Sequence, residues 1–286
     1  MRHLTPPTDE NGQPFAPGEV FETCVSMVKK PALRTQLRAV RPNVETEAAD
    51  YDVKALGAQL YPKQPHYQVG GVSGDEIVKI YTQRMVPKKS RGYSIYGHII
   101  SAPLHRRCPL CGIGTANTLD HYLPKSHFPV YSVTPNNLVP ACDWCQRNKL
   151  EYYSTTEGGQ LLHPYFDDVD NEVWLAAEVV AVVPAVFRYF ASPPEHWLAS
   201  AKTRVAAHLE KLNLPELFTS NAGSRLSEIR GRLASLHQKG GADAVRAHLR
   251  EELASLEADQ KNSWTAAMYR AAVENDWFCT GGFLET

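Results

Sequence analysis

Residues 119–145 read LDHYLPKSHFPVYSVTPNNLVPACDWC, and this stretch decides how the chain is understood. It sets an acid beside a histidine (Asp120, His121), then Lys125 and His127, two adjacent asparagines (Asn136, Asn137), and a CxxC pair, Cys142 and Cys145. A second pair, Cys108 and Cys111 in CPLC, stands upstream, with 30 residues between the two knuckles. A CxxC turn offers two sulfurs from one tight bend, and two such turns complete the tetrahedron that zinc prefers. Four thiolates leave no open coordination position, so such a zinc is structural. A redox CxxC or a pair of disulfides is the alternative, and neither accounts for two knuckles at once. The spacing exceeds the roughly 15–20 residues of a zinc ribbon, so a substantial insert is threaded between the knuckles.

Working outward, residues 77–119 contain no Asp or Glu but carry Lys79, Arg84, Lys88, Lys89, Arg91, Arg106 and Arg107. A basic segment feeding a metal site suits a phosphate backbone; an ordinary solvated face is the plain alternative. The chain as a whole is nearly neutral, with a formal charge of -1 over 286 residues, so no global attraction to nucleic acid is implied. Hydrophobic residues make up 43%, enough for a core and against wholesale disorder. The N-terminal MRHLTPPTDENGQPFAPG has no apolar signal region, and the most apolar run, in residues 173–191, is interrupted by Glu178, Pro184 and Arg188. A soluble, cytoplasmic protein that does not enter a membrane is expected. Cys24 and Cys279 stand alone and read as buried small hydrophobes.

The order CxxC, Asp-His, Asn-Leu, CxxC and a following lysine resembles the HNH endonucleases of the ββα-metal fold, in their four-cysteine zinc variety. Here the matching residues are Cys108, Cys111, Asp120, His121, Asn137, Leu138, Cys142, Cys145 and Lys149, so the likeness covers about residues 108–150. The longer form LDHYLPKSHFP…NNLVPAC followed by LLHPYFDD is similar to HNH proteins of retron and Septu-type antiphage systems, which work beside an ATPase. The resemblance implies cleavage of phosphodiester bonds in nucleic acid, DNA first. His121 is then the general base, because a neutral imidazole with a pKa near ~6.5 can accept a proton from water. Asp120 is a hard oxygen ligand for one Mg or Mn ion, with no other acid expected nearby. Neighbours on a strand face opposite ways, so this pair serves one site only where the strand ends or bends. Asn137 pins the loop and orients the histidine, with Asn136 as the adjacent alternative.

The sequence departs from the family at the third motif. The residue after the last cysteine, an asparagine on the metal in the family, is Gln146 here, and Asn148 follows two residues later. Two helical residues turn about 200°, so Gln146 is favoured slightly over Asn148 as the third metal contact. Contacts to nucleic acid are expected from Lys88, Lys89, Arg91, Arg106, Arg107, Lys125, His127, Lys149 and His163. For His163 a hydrogen-bonded loop histidine is the competing reading.

The fold expected is α+β: a zinc-stapled ββα-metal core with a β-hairpin and surrounding helices, and a mainly helical C-terminal region. Residues 1–94 form an N-terminal region, partly irregular, with short helices and the basic stretch. Residues 95–152 hold the nuclease core, 153–193 a loop and hairpin, and 194–286 helices. SGDEIVKIYTQRMVP and SIYGHIISAPL read as helices, whereas residues 42–72 show no clear period. In the C-terminal region, Leu226, Ile229, Leu233 and Leu236 form one stripe and Val245, Leu249, Leu253 and Leu256 another. Gly240 and Gly241 separate them, as in an antiparallel pair. The competing functional reading is a zinc-stabilised nucleic-acid-binding or adaptor module, catalytically weak, working with an ATPase; Gln146 is the feature that favours it.

Overall fold

In a computed structural model, which describes residues 1–284, the chain divides into two compact units. The first runs over His3–Asp167; the second begins at Asp168 and takes in Met1 and Arg2. The architecture is α+β, helices with three separate two-stranded antiparallel sheets. The expected boundaries at 94 and 152 fall inside the first unit, and the expected 153–193 segment is divided between the two. Residues 153–167 stay with the first unit because they are tied into it. Gln160 Oε1 accepts from the Leu60 and Tyr61 amides, and Tyr122 donates its hydroxyl to the Leu161 carbonyl.

The first unit opens with α1 (Pro17–Val25), α2 (Pro31–Ala39) and α3 (Arg41–Leu56), each with a proline in its first two positions. A proline there gives up no helical hydrogen bond, so Pro31 starts α2. Helix α3 lies where no period was expected. Its buried positions, Val44, Ala48, Tyr51 and Ala55, do recur at helical spacing, but two are alanines set among charged residues. A short hairpin, β1 (Gln68–Val69) and β2 (Val72–Ser73), leads into α4 (Gly74–Arg84), followed by α5 (Tyr93–Ser101). Strands β3 (Thr118–His121) and β4 (Leu138–Ala141) pair antiparallel, Thr118 opposite Ala141 and His121 opposite Leu138. Helix α6 (Asp143–Lys149) follows at once. Tyr51, Phe128, Tyr131, Ile77 and Ile80 are among the fully enclosed side chains of the first unit.

In the second unit β5 (Leu175–Val180) and β6 (Val186–Ala191) form the expected hairpin around Pro184. Helices α7 (Ala199–Lys211), α8 (Leu214–Asp259) and α9 (Trp264–Glu274) pack on it. Helix α8 is interrupted at the glycine pair, where Gly241 adopts φ 61° and ψ -154°. Side chains other than glycine are excluded from that conformation, so the pair is a true break. Leu226, Leu233, Val245 and Leu249 are buried on its two halves. No helix among the described residues is long and apolar enough to cross a membrane.

Candidate metal centre and active site

The two cysteine knuckles converge. The Sγ atoms of Cys108, Cys111, Cys142 and Cys145 all lie within 4.8 Å of one another, and all four residues are buried and unbridged. The Sγ atoms of Cys111 and Cys142 are 3.7 Å apart. A disulfide needs about 2.05 Å, whereas two sulfurs at ~2.3 Å from one tetrahedral zinc stand about 3.8 Å apart. The cluster therefore fits zinc. Hydrogen bonds shared among the thiols, from Cys108 first, pull Cys142 and Cys111 below the ordinary thiol range. The same sharing pushes Cys108 and Cys145 above it. A cation is what would release all four protons. Gly114 lets the first knuckle close on the second: a Cβ there would lie 2.5 Å from Cys142 Cβ and 2.6 Å from its Sγ.

Strand β3 ends at His121, and at that end Asp120 and His121 both line one cleft of about 420 Å³. Asn137 holds the chain beyond it. Its Oδ1 accepts from the Leu123 amide at 2.8 Å, and its Nδ2 donates to the carbonyls of Leu123 (3.0 Å) and Tyr131 (3.3 Å). Its own carbonyl accepts from the Tyr122 amide at 2.8 Å. All its side-chain polar capacity goes to the loop after the histidine.

His121 is buried, and its Nε2 lies 2.9 Å from the Ser132 carbonyl. A carbonyl only accepts, so Nε2 carries the proton and Nδ1 keeps the lone pair. The Tyr81 ring stands edge-on to the imidazole, centroids 4.5 Å apart, and its hydroxyl donates to the Leu119 carbonyl. Burial, then the positive charges of Lys125 and Lys149, lower the His121 pKa to about 3. The ring is neutral at any ordinary pH.

Asp120 is not free. Lys149, buried on α6, places Nζ 3.1 Å from Asp120 Oδ2 and donates to the His121 carbonyl at 2.7 Å. Cys145 and Lys149 are one helical turn apart and share the inward face of α6. Gln146 is turned about 100° from Cys145, and Asn148 about 100° from Lys149. Neither lines the cleft; Asn148 donates its side-chain amide to the Trp144 carbonyl at 2.8 Å. The expected pairing of Asp120 with Gln146 or Asn148 around Mg or Mn is thus not assembled, because α6 turns an ammonium to Asp120. Among the described residues only the cysteines gather as a metal-binding group of His, Cys, Asp or Glu. The expectation that no other acid stands nearby also fails: Asp75, at the start of α4, and Glu151, just past α6, line the same cleft.

The expected nucleic-acid contacts separate into groups. Lys125 lines the cleft, its ammonium 5.8 Å from the centre of the Tyr81 ring. His127 is half-buried, packs against Tyr153 with the ring planes tilted and centroids 5.2 Å apart, and faces Glu151 at 3.8 Å. Lys88, Lys89 and Arg91 are exposed away from the cleft lining. Arg106 and Arg107 donate to the carbonyls of Ala116 and Ile113, bracing the first knuckle. Lys149 and His163 are corrections, since both are buried out of reach of a polynucleotide. His163 Nε2 pairs with the Tyr51 hydroxyl at 2.9 Å, and its ring packs against Tyr122 and Phe166. Its partner lies 112 residues away in sequence, beyond any local signal. Tyr81 and the Ser132 carbonyl, which fix the histidine, were not anticipated. Tyr81 lies within the segment SGDEIVKIYTQRMVP, read only as a helix, and a main-chain carbonyl leaves no trace in composition.

No protein-family model and no solved structure matches the chain. It is similar to protein ea31 of Escherichia phage lambda, 29% identical over 229 residues, covering 74% of this chain and 76% of that protein.

Proposed function

We propose that the chain is an endonuclease of the HNH kind, hydrolysing phosphodiester bonds of nucleic acid, with DNA as the substrate. The observation that carries this reading is the held imidazole: Nε2 is committed to the Ser132 carbonyl, and the neutral ring lines an open cleft. In this reading the Nδ1 lone pair takes a proton from a water molecule. The water oxygen bonds to phosphorus, and the bond from phosphorus to the leaving sugar oxygen breaks. Lys125, in the cleft wall, supplies positive charge for the phosphate oxygens. Lys149 and Asn137 act by position, fixing the strand end and the loop on either side of the base.

The order β3, β4, α6 with a cysteine knuckle at each end supports the ββα reading. The Mg or Mn ion that the resemblance implies would compete with Lys149 for Asp120 Oδ2, and the steps above do not depend on it. The antiphage role beside an ATPase is proposed from the longer likeness around LDHYLPKS. A zinc-stabilised binding or adaptor module is favoured by one observation, the absence of Gln146 and Asn148 from the cleft.

Incubating supercoiled plasmid with the protein, with Mg²⁺, Mn²⁺ or EDTA, beside His121→Ala, separates the two. Nicking or linearisation lost in the variant supports the nuclease; binding without cleavage under every condition supports the module.

A further inference from the structure

Helix α4 is a wall shared by two depressions. Asp75 and Val78 face the cleft that holds His121. The adjoining face of the same helix, with Glu76, Lys79, Gln83 and Arg84, lines a groove of about 290 Å³ whose far side is Lys29 and Lys30. These two lysines sit in the turn between α1 and α2, 49 or more residues before Lys79 in sequence. No local charge run joins them; the fold does.

Four cations line this groove, Lys29, Lys30, Lys79 and Arg84, against one acid, Glu76. Glu76 pairs with Lys79 at 2.6 Å, so three cations are left without a neutralising acid in the groove. Arg84 donates one guanidinium nitrogen to the Gln83 carbonyl, and its enclosed Nε has no partner among the described residues. Lys29 and Lys30 are exposed. A row of uncompensated cations along a groove is complementary to a chain of phosphates, whose binding gains from released counterions.

We infer that this groove seats the sugar–phosphate backbone of the nucleic-acid strand whose scissile phosphate lies at His121. The inference rests on the nuclease reading and adds the flanking contact to it. A helix is about 10 Å across, and one strand of duplex advances about 3.4 Å per nucleotide. A strand passing over α4 therefore places phosphates roughly three nucleotides from the cut against Lys29, Lys30 and Arg84. Because these groups touch phosphate and not bases, they add affinity without sequence preference.

The test is binding of the full chain to a labelled duplex oligonucleotide across a series of salt concentrations. Wild type is compared with Lys29→Gln/Lys30→Gln and with Lys239→Gln, a control on the second unit. Each lost phosphate contact lowers the slope of log affinity against log salt by about 0.9. The double variant is expected to bind more weakly, with a slope smaller by about 2, and the control to match wild type. If wild type binds and the double variant keeps its affinity and slope, the groove inference is overturned while the nuclease reading stands. If wild type binds neither duplex nor single strand, the nuclease reading fails and the inference with it, and an acidic protein segment becomes the occupant to seek.

Discussion

Lys149 Nζ stands 3.1 Å from Asp120 Oδ2 and 2.7 Å from the His121 carbonyl oxygen. One buried ammonium thus ties α6 to both members of the Asp-His pair. The helix that carries Cys145 and begins directly after Cys142 also holds the end of the strand that carries the base. Metal binding at the cysteines and geometry at the histidine are therefore mechanically joined through a seven-residue helix.

Lys149→Met is expected to destabilise the protein by roughly 3 kcal/mol, because it leaves a poorly solvated carboxylate without its partner. Lys149→Met combined with Asp120→Asn removes both charges and is expected to recover part of that loss. Urea unfolding of the two variants checks this. With Asp120→Asn alone measured as well, a double-variant loss equal to the sum of the two single losses would show that the pair is not coupled.

Cys108→Ser is expected to lower the melting temperature and the zinc content together, since binding energy at a closed thiolate site is folding energy. Gly114→Ala is expected to do the same more mildly, through the Cβ that would press on Cys142. Elemental analysis alongside thermal melts reads both. A full zinc complement with an unchanged melt in Cys108→Ser would remove the four-cysteine site.

Asn137→Ala breaks three side-chain hydrogen bonds to buried main chain. Unpaired buried groups cost about 1–3 kcal/mol each, so a total loss of roughly 2–4 kcal/mol is expected once the loop relaxes. Cleavage should fall beyond what the unfolded fraction explains, because the loop carries Ser132, the anchor of His121. Rates measured well below the melting temperature make that separation.

Much of this arrangement was legible beforehand because the signals were local. Helix α4, the β5–β6 hairpin and the break at Gly240 and Gly241 each follow from a few neighbouring residues. The convergence of four cysteines follows from ligand chemistry. What escaped was set by long-range packing or by rotation about a helix axis. Tyr51 closes over His163 from another part of the chain. Asp75 reaches the cleft only because α4 begins beside it. That α6 directs Lys149 rather than Gln146 toward Asp120 is a matter of about 100° around the helix, which motif order alone leaves open.

The protonation of His121 is the sharpest consequence of the site. Its folded pKa lies near 3, while an exposed histidine titrates near ~6.5. Between these values the unfolded chain binds a proton that the folded chain refuses. The stability owed to the neutral ring is therefore complete above the unfolded value and is lost as pH falls toward 3. His121→Asn, which cannot titrate, is expected to lose less stability than wild type between pH 7 and pH 4. The same neutrality keeps the Nδ1 lone pair unprotonated throughout, with weaker basicity as its cost, so cleavage by wild type should show no fall centred near pH 6.5. In an NMR titration the His121 ring protons should hold their shifts from pH 8 to pH 5. A His121 midpoint near 6.5 would mean that the ring is solvated rather than enclosed. Its commitment to the Ser132 carbonyl, and with it the assignment of Nδ1 as the base, would then be wrong.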